Sequence, residues 1–321
     1  MKISQSLQFI PLIFLLLFPN ISFSSELIRK ETRSGNFNRE YFIHVPSTYR
    51  KDLAAAVVLV FHGGGGNAQQ IATFSGFNTL SEENGFLAIY PQAIDKHWND
   101  GRESEKFREH DKKVNDVAWI DALITELKTT YSVDNKRIYA VGISNGGIFS
   151  QRLAIELSHH FAAVASLTAQ IAEPLVGAQP TNPISVLIMN GTMDPFVPYE
   201  GGEVTPTLFP KFSEMLRKPS RGKVISTDAT IEFWLRHNAI ETTGHLIKFP
   251  DHDTTDGSTV EQTEWLNKFI GVSVMLYRII GGGHTWPGAR QYLLVRTVGT
   301  TNQDIKGSEE IWEFFSNHPK Q

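Results

Sequence analysis

The sequence predicts an α/β fold, with a mostly parallel central sheet and helices on both of its faces. Apolar runs of strand length recur along the chain, and segments with a helical spacing of apolar residues separate them. Strands of a parallel sheet are buried on both faces, so continuous apolar runs that alternate with helices are typical of this class. We find no internal repeat and no low-complexity linker, so one large domain is expected.

The first predicted elements are the strands. Residues 27–33 and 41–45 form an opening hairpin around Ser34-Gly35-Asn36, a turn-forming sequence. The buried strands that follow are short apolar runs, and they are predicted at residues 54–61, 86–90, 138–141, 184–189 and 272–280.

Two helices are predicted in most detail. Residues 117–131 carry an apolar stripe with helical spacing, and Asp116 is placed as their N-terminal cap. Near the C terminus, Ser308 precedes two glutamates that favour a helix start, and Pro319 ends this last helix. Its inward-facing side chains are predicted to be Ile311, Phe314 and Phe315.

The first 24 residues have the pattern of a secretory signal peptide. Met1 and Lys2 form a short basic start, residues 9–18 (FIPLIFLLLF) are apolar, and small residues around Ser24 offer a cleavage site. The apolar run is too short for a stable membrane span. The sequence therefore predicts a secreted or periplasmic protein in which residues 25–321 form the single domain.

Composition excludes several kinds of site and partner. The chain has no cysteine, which excludes disulfides, thiol catalysis and thiolate metal ligands. The net charge is −4, and no run of lysines and arginines follows one face, so nucleic acid is not expected as a partner. Neither stable membrane insertion nor an obligate protein partner is implied.

Residues 137–149 (RIYAVGISNGGIF) place a serine between a predicted strand and a predicted helix. Gly142 and Gly146 flank Ser144, and a sharp turn at this point needs neighbours without side chains. The pentapeptide alone is weak evidence, so the strand and the helix around it carry most of the argument. Ser144 is therefore the candidate nucleophile of an ester or amide hydrolase.

A nucleophilic serine needs a histidine base and an acid that orients the histidine. His284 follows the predicted strand 272–280 in a glycine-rich loop, and Asp194 follows the predicted strand 184–189. Catalytic residues lie at the carboxyl ends of strands in open α/β sheets. A capping role for Asp194 and a backbone-bonded loop position for His284 are the alternatives. The chain order serine, aspartate, histidine favours the triad of α/β-hydrolases.

Acyl transfer also needs two N–H groups aimed at the oxyanion of the transition state. Asn145, directly after the candidate nucleophile, is expected to supply one. The glycine run that follows His62 is expected to supply the other, from Gly64 or, as the second choice, Gly63. The run lacks the Gly-Lys-Ser/Thr ending of a phosphate-binding loop. His62 is expected to order this loop and not to act as a second base.

Two tryptophans and two histidine-containing clusters are further candidates. Trp98 and Trp286 lie beside the proposed active-site loops, where they form an aromatic wall for substrate or pack in the core. His159-His160 and Asp251-His252-Asp253 suggest a metal, but no spaced partner ligands accompany them. The sequence therefore predicts no metal site and no cofactor.

Seven segments spread over nearly all of the chain resemble one family in their order. This family comprises the secreted esterases grouped with poly(3-hydroxybutyrate) depolymerases and with the feruloyl and acetylxylan esterases of carbohydrate esterase family 1. The segments are FHGGGGN from Phe61, HWNDGR from His97, NDVAWIDALI from Asn115, RIYAVGISNGG from Arg137, NGTMDPFVPYEGG from Asn190, GGGHTWPG from Gly281 and IWEFF from Ile311.

The resemblance implies an α/β-hydrolase catalytic domain over residues 25–321, without a cofactor. It implies Ser144 as the nucleophile, Asp194 as the orienting acid and His284 as the base. Members of the family often carry cysteines, and this chain has none, so a family disulfide is missing. Residues 211–223 and 289–303 match no family pattern, and we expect these loops to set specificity.

The sequence and the resemblance together predict a secreted serine carboxylesterase that works through an acyl-enzyme. Hydroxyalkanoate esters or oligomers are the leading substrates. Short soluble esters or oligomers are expected rather than crystalline polymer, because no adsorption domain for solid polyester is recognised. Feruloyl or acetyl esters of plant polysaccharide are the alternative. A peptidase of the same fold and a non-catalytic binding protein are further alternatives.

Overall fold

The computed structural model describes residues 27–205 and 219–320. The proposed signal peptide and part of the 211–223 segment lie outside these residues. The described strands are, in chain order, β1 (Ile28–Ser34), β2 (Phe37–His44), β3 (Ala55–Phe61), β4 (Leu87–Pro91), β5 (Val133–Ile143), β6 (Ala163–Leu167), β7 (Ser185–Gly191), β8 (Gly202–Glu203), β9 (Lys223–Val224), β10 (His245–Lys248), β11 (Thr259–Asn267) and β12 (Val272–Ile280).

Ten of these strands form one sheet, in the order β1-β2-β4-β3-β5-β6-β7-β12-β11-β10. The six central strands, which in sheet order are β4, β3, β5, β6, β7 and β12, pair in parallel. Two antiparallel strands extend the sheet at each edge. Because the carboxyl ends of parallel strands share one edge, the loops that follow β3, β5, β7 and β12 converge there.

Helices cover both faces of this sheet. They are, in chain order, α1 (Ala68–Phe74), α2 (Phe77–Asn84), α3 (Arg108–Asp111), α4 (Asp116–Thr130), α5 (Asn145–Glu156), α6 (Thr227–His237), α7 (Val295–Val298) and α8 (Gly307–Asn317), with 3₁₀ turns at Ile94–Lys96 and Glu173–Leu175. Side chains of α4, α5 and α6 form one apolar core with the sheet, and side chains of α1, α2 and α8 form the other. The predicted doubly covered parallel sheet is confirmed.

The opening hairpin and the five predicted buried strands are all present. The sequence interpretation missed three strands of the large sheet. β6 is a run of only five residues, and β10 and β11 lie at an edge where most of their side chains keep contact with solvent. A half-exposed edge strand lacks the continuous apolar signal of a central strand. Among the described residues, we find no helix whose length and hydropathy suit a membrane span.

The predicted cap of α4 is wrong by one residue. Asn115 is the N-cap, and its Oδ1 accepts the N–H of Ala118. Asp116 is buried instead, with Oδ1 2.6 Å from Nη2 of Arg39 and Oδ2 accepting the N–H of Asn99 at 2.8 Å. An asparagine side chain caps as well as an aspartate, and this choice leaves the carboxylate free to pair with a buried guanidinium.

Candidate active site

Ser144 lies at the sharp turn between β5, which ends at Ile143, and α5, which begins at Asn145. Its backbone angles are φ 58° and ψ −127°, a conformation that residues with side chains rarely adopt. Such strain persists only where the surrounding structure holds it, and it is concentrated at functional sites. The turn presents Ser144 at the carboxyl end of the parallel sheet.

Two glycines allow the backbone to pass close to this turn. A Cβ atom on Gly142 would lie 2.2 Å from the carbonyl oxygen of Gly146, and one on Gly146 would lie 2.5 Å from the carbonyl oxygen of His62. Those contacts are with backbone atoms, which cannot rotate away as a side chain can. The glycines around Ser144 therefore have a steric cause in this fold.

His284 and Asp194 meet at the same edge of the sheet. The Nδ1 atom of His284 lies 2.7 Å from Oδ2 of Asp194, and both side chains are buried. The other carboxylate oxygen, Oδ1, accepts the N–H groups of Phe196 at 2.8 Å and Val197 at 2.9 Å. These bonds fix the carboxylate, which in turn holds the imidazole with its second nitrogen available to a neighbour.

Ser144 and His284 line one cleft, which has a volume of about 1060 Å³. The glycine run after β3 and Asn145 line the same cleft. The loops after β3, β5 and β12 thus bring together a hydroxyl group, an imidazole and two sets of backbone N–H groups. The chemistry that this arrangement suits is attack of a hydroxyl group on a carbonyl carbon, with donors for the developing oxyanion.

The backbone around Gly64 lies next to Asn145. A Cβ atom on Gly64 would be 3.5 Å from Cβ of Asn145, an ordinary van der Waals contact. In the same loop the N–H of Gly65 donates to the carbonyl oxygen of Lys96, and the N–H of Gly66 donates to that of Gly63. The N–H of Gly64 has no such backbone acceptor among the described residues.

The Asn145 side chain is fixed by a network that sequence reasoning missed. Its Oδ1 accepts the N–H of Trp98 at 2.8 Å, and its Nδ2 donates to the Trp98 carbonyl oxygen at 2.9 Å and to Oδ2 of Asp100 at 2.6 Å. Both partners belong to the HWNDGR segment, about 45 residues earlier in the chain. Only the fold brings that segment to the first turn of α5, so its spacing gave no signal.

His62 orders the glycine loop, as the sequence predicts. Burial lowers the pKa of His62 to about 4, so the ring is neutral at neutral pH. Its Nδ1 lies 2.8 Å from the carbonyl oxygen of Gly63, and its Nε2 accepts the N–H of Ala93. A neutral ring with its proton on Nδ1 satisfies both bonds, which leaves no lone pair for a catalytic role.

The two predicted substrate-binding tryptophans do not reach the cleft. Trp98 is 0% exposed and Trp286 is 1% exposed, and neither lines the cavity. The Trp98 ring stacks on Phe149, with centroids 5.0 Å apart, and its Nε1 donates to the His62 carbonyl oxygen. The Nε1 of Trp286 donates to Ser308. Packing, which was the alternative, explains both residues, and the aromatic-wall interpretation is wrong for them.

Other aromatic side chains line the cleft in their place. Phe196 packs against the His284 ring with centroids 5.1 Å apart, and the Tyr292 hydroxyl group donates to the His284 carbonyl oxygen at 2.9 Å. Phe74 makes an edge contact with Tyr292. Tyr292 belongs to the 289–303 segment that matched no family pattern, so this segment does reach the cleft.

In the described part of the chain, two groups of three side chains hold potential metal-ligand atoms within 4.8 Å of one another. The first group is His97, His110 and Asp111, and the second is Asp121, His159 and His160. The expectation that His159-His160 lacks a spaced partner is therefore wrong. Ordinary bonds account for much of both groups, since Nε2 of His160 lies 2.6 Å from Oδ1 of Asp121 and Nδ1 of His110 lies 2.9 Å from Oδ1 of Asp111. The absence of a metal remains a prediction.

The parallel sheet and the strained serine turn define an α/β-hydrolase. The acetyl xylan esterase from Aspergillus awamori has a similar fold, with a TM-score of 0.57 at 16% identity, over 90% of this chain and 99% of that one. The family model described as esterase PHB depolymerase matches residues 40–177. The chain belongs to this esterase family, and it is a serine hydrolase that acts on carboxylic esters.

Curated relatives agree with this assignment. NocK of Nocardia uniformis subsp. tsuyamanensis, which carries an esterase name, is 30% identical over 277 residues, or 86% of this chain and 78% of NocK. Feruloyl esterase B of Piromyces equi is 26% identical over 273 residues, or 80% of this chain. The chain spans 46% of the length of that second protein.

Replacing Gly64 by proline tests the oxyanion assignment. Proline removes the N–H group, so we expect kcat to fall by about 10² to 10³ while KM changes less. Gly64→Ala is the matched control, because it keeps the donor and its Cβ atom would make only an ordinary van der Waals contact, 3.5 Å from Cβ of Asn145. A proline at Gly66 is no control, since that N–H already bonds to Gly63. Full activity in Gly64→Pro would move the assignment to Gly63.

The buried neutral His62 predicts a loss of stability in acid. Its folded-state pKa of about 4 lies below the usual value of 6.5, so the unfolded chain binds the extra proton and stability falls as the pH drops through this interval. Between pH 7 and pH 5, His62 is expected to contribute about 2 kcal/mol of this loss. Denaturant unfolding of His62→Gln at both pH values should show a loss smaller by that amount. An unchanged loss would contradict the buried neutral ring.

Proposed function

We propose that Ser144, His284 and Asp194 form a catalytic triad that hydrolyses carboxylic esters through an acyl-enzyme. The observation that carries this proposal is the 2.7 Å contact between buried Asp194 and His284, because His284 lines the cleft that also holds the strained Ser144 turn. A serine hydroxyl group attacks only when a base takes its proton, and an imidazole is such a base only in the tautomer that the carboxylate selects.

In the first half of the proposed reaction, Ser144 Oγ attacks the ester carbonyl carbon and its proton passes to Nε2 of His284. The N–H groups of Asn145 and Gly64 stabilise the oxyanion, and the N-terminal end of α5 adds a favourable dipole. His284 then returns the proton to the leaving alcohol. In the second half, water attacks the acyl group on Ser144 and His284 again takes and returns the proton.

The proposed substrates are short hydroxyalkanoate esters or oligomers of the polyhydroxybutyrate type. The family to which the chain belongs supports this class. The volume of the cleft, about 1060 Å³, and its aromatic and aliphatic lining suit an oligomer of a few units. Feruloyl or acetylxylan esters are the alternative, which the named relatives and the aromatic rings of Phe196 and Tyr292 favour.

Residues 25–321 are proposed to form the single catalytic domain, secreted or periplasmic after removal of residues 1–24. N-terminal sequencing of the exported protein tests this division, which predicts a start at Ser25.

A substrate panel tests the proposed specificity. We would measure kcat/KM for 3-hydroxybutyrate dimers and trimers, methyl ferulate, acetylated xylan and p-nitrophenyl acetate with one preparation. The proposal predicts that the hydroxybutyrate oligomers give the highest value among the natural esters. A higher value for methyl ferulate or acetylated xylan would replace it with the corresponding alternative, and cleavage of none of them would contradict both.

A further inference from the structure

The charged side chains that line the cleft are mostly cationic. In the part of the chain that the structure describes, one carboxylate, that of Asp95, lines it together with five cationic side chains, which are Lys96, Arg102, Lys106, Arg221 and Arg290. The chain as a whole has a net charge of −4. The cleft is therefore positive within an acidic protein, and a concave site of one charge sign raises the local concentration of ligands of the opposite sign.

Arg102 is a buried cation with an unused donor. Its side chain is 5% exposed, its Nη2 lies 2.8 Å from Oδ2 of Asp100, and its Nε lies 3.0 Å from the same oxygen. The Asp100 carboxylate also accepts a bond from Asn145, so it is fully engaged. The Nη1 of Arg102 is buried and has no hydrogen-bond partner among residues 27–205 and 219–320. A buried charged donor without an acceptor carries a free-energy cost that a suitable ligand can remove.

Arg221 is a half-buried cation whose neighbour in the chain, Gly222, packs directly against Arg102: a Cβ atom on Gly222 would lie 2.5 Å from the Arg102 carbonyl oxygen and 2.7 Å from its Cβ atom. Burial, and then the charge of Arg102, lower the pKa of Arg221. The nearby Glu203 carboxylate accepts the Arg221 backbone N–H and the hydroxyl group of Ser220. Within the described residues, no ion pair joins the Arg221 guanidinium to a carboxylate, and the guanidinium lies over the Phe107 ring at 5.9 Å.

Arg102 and Arg221 both line the cleft, and among the described residues one carboxylate, that of Asp100, pairs with them, so a net positive charge remains that a bound anion can neutralise. We propose that Arg221 and Arg102 form an anion subsite, which binds a carboxylate carried by the ester substrate. Guanidinium groups match carboxylates through paired hydrogen bonds, which gives the subsite its chemical preference. This inference rests on the proposed function, since it names a substrate class for the same cleft.

The carboxylate can belong to either side of the scissile ester. An oligomer of a hydroxy acid carries it on the alcohol that leaves, whereas a half-ester of a dicarboxylic acid carries it on the acyl group. The location of the subsite supports the first source. Through Asp100, Arg102 is connected to Asn145 beside the nucleophile, so a carboxylate there lies close to the reacting bond, as in a 3-hydroxybutyrate unit.

The test compares ester pairs that differ in one charge. The alcohol-side pair is 3-acetoxybutyrate and 3-acetoxybutyramide, and the acyl-side pair is ethyl hydrogen adipate and ethyl adipamate. The measured quantity is the ratio of kcat/KM for the acid to that for its amide. We expect wild-type protein to prefer the acid by about 10- to 100-fold in the alcohol-side pair, the range for a hydrogen-bonded ion pair.

Arg221→Gln is expected to lower that ratio by at least about tenfold, and Arg221→Lys, which keeps the charge, should retain part of it. Arg290→Gln is the matched control, because it removes the same charge from the same cleft; its ratio should stay within about twofold of wild type. If Arg221→Gln and Arg290→Gln lowered the ratio equally, the preference for acids would come from the overall positive charge of the cleft, and the subsite would be overturned. A preference confined to the acyl-side pair would keep the subsite and move the carboxylate to the acyl group.

The amides separate this inference from the proposed function. If wild-type protein cleaves the amides and shows no preference for the acids in either pair, the anion subsite is wrong and the triad is untouched. If Ser144→Ala still cleaves the amides, the catalytic assignment itself is wrong.

Discussion

Ser144→Ala is expected to reduce kcat for ester hydrolysis by about 10⁴- to 10⁶-fold. Alanine keeps the Cβ atom and therefore the backbone conformation of the turn, with φ 58°, so the fold and the cleft should survive. The loss then reports the missing nucleophile alone. Steady-state kinetics with p-nitrophenyl acetate, together with an unfolding midpoint close to that of wild type, would establish this result.

His284→Ala should give a loss of similar size, because an unactivated serine is a poor nucleophile. The double variant Ser144→Ala/His284→Ala should be no more than about tenfold worse than either single variant, since residues that act as one unit are strongly non-additive. Losses that multiply would mean that the two residues act in separate steps, which contradicts a triad.

Asp194→Asn is expected to reduce kcat by about 10⁴-fold with little loss of stability. The asparagine oxygen can still accept the N–H groups of Phe196 and Val197, so the loop should stay in place. Its NH₂ group, however, would face Nδ1 of His284 and would select the imidazole tautomer whose Nε2 cannot take the serine proton.

Asp95→Asn is the matched control for this change. Asp95 lines the same cleft and has a positive φ of 50°, which asparagine tolerates well. We expect its kcat to stay within about twofold of wild type. If Asp194→Asn also keeps near-normal kcat, another acid orients the histidine.

The sequence predicted the architecture well where burial is uniform. The strands at residues 54–61 and 272–280 lie within the sheet on both sides of the centre, and most of their side chains are buried and apolar, so they are easy to recognise. The edge strands β10 and β11 were missed because nearly all of their side chains are partly or fully exposed, so their sequences lack a continuous apolar run. A strand that is buried on both faces leaves a strong apolar pattern in a single sequence, whereas a partly exposed strand leaves a weak pattern.

In the candidate site, residues that follow a recognisable strand were predicted, and contacts between distant segments were not. Ser144, Asp194 and His284 each follow a recognisable strand, so the topology of a parallel sheet was enough to expect them together. Trp98 was misplaced because proximity to the site along the chain does not say which way a side chain points. The hydrogen bond between Asn145 and Asp100, and the presence of Arg102 and Arg221 in the same cleft, involve segments far apart in sequence. No local pattern encodes such contacts.

The most direct test of Ser144 as the nucleophile is to identify the residue that a fluorophosphonate probe modifies. Such a probe reacts with a serine that a neighbouring base activates, and trypsin would release Ser144 in the peptide of residues 138–152. We predict one adduct per chain, located by mass spectrometry on Ser144, absent in Ser144→Ala and strongly slowed in His284→Ala. Modification of a different residue, or no adduct in a preparation that hydrolyses esters, would contradict Ser144 as the nucleophile.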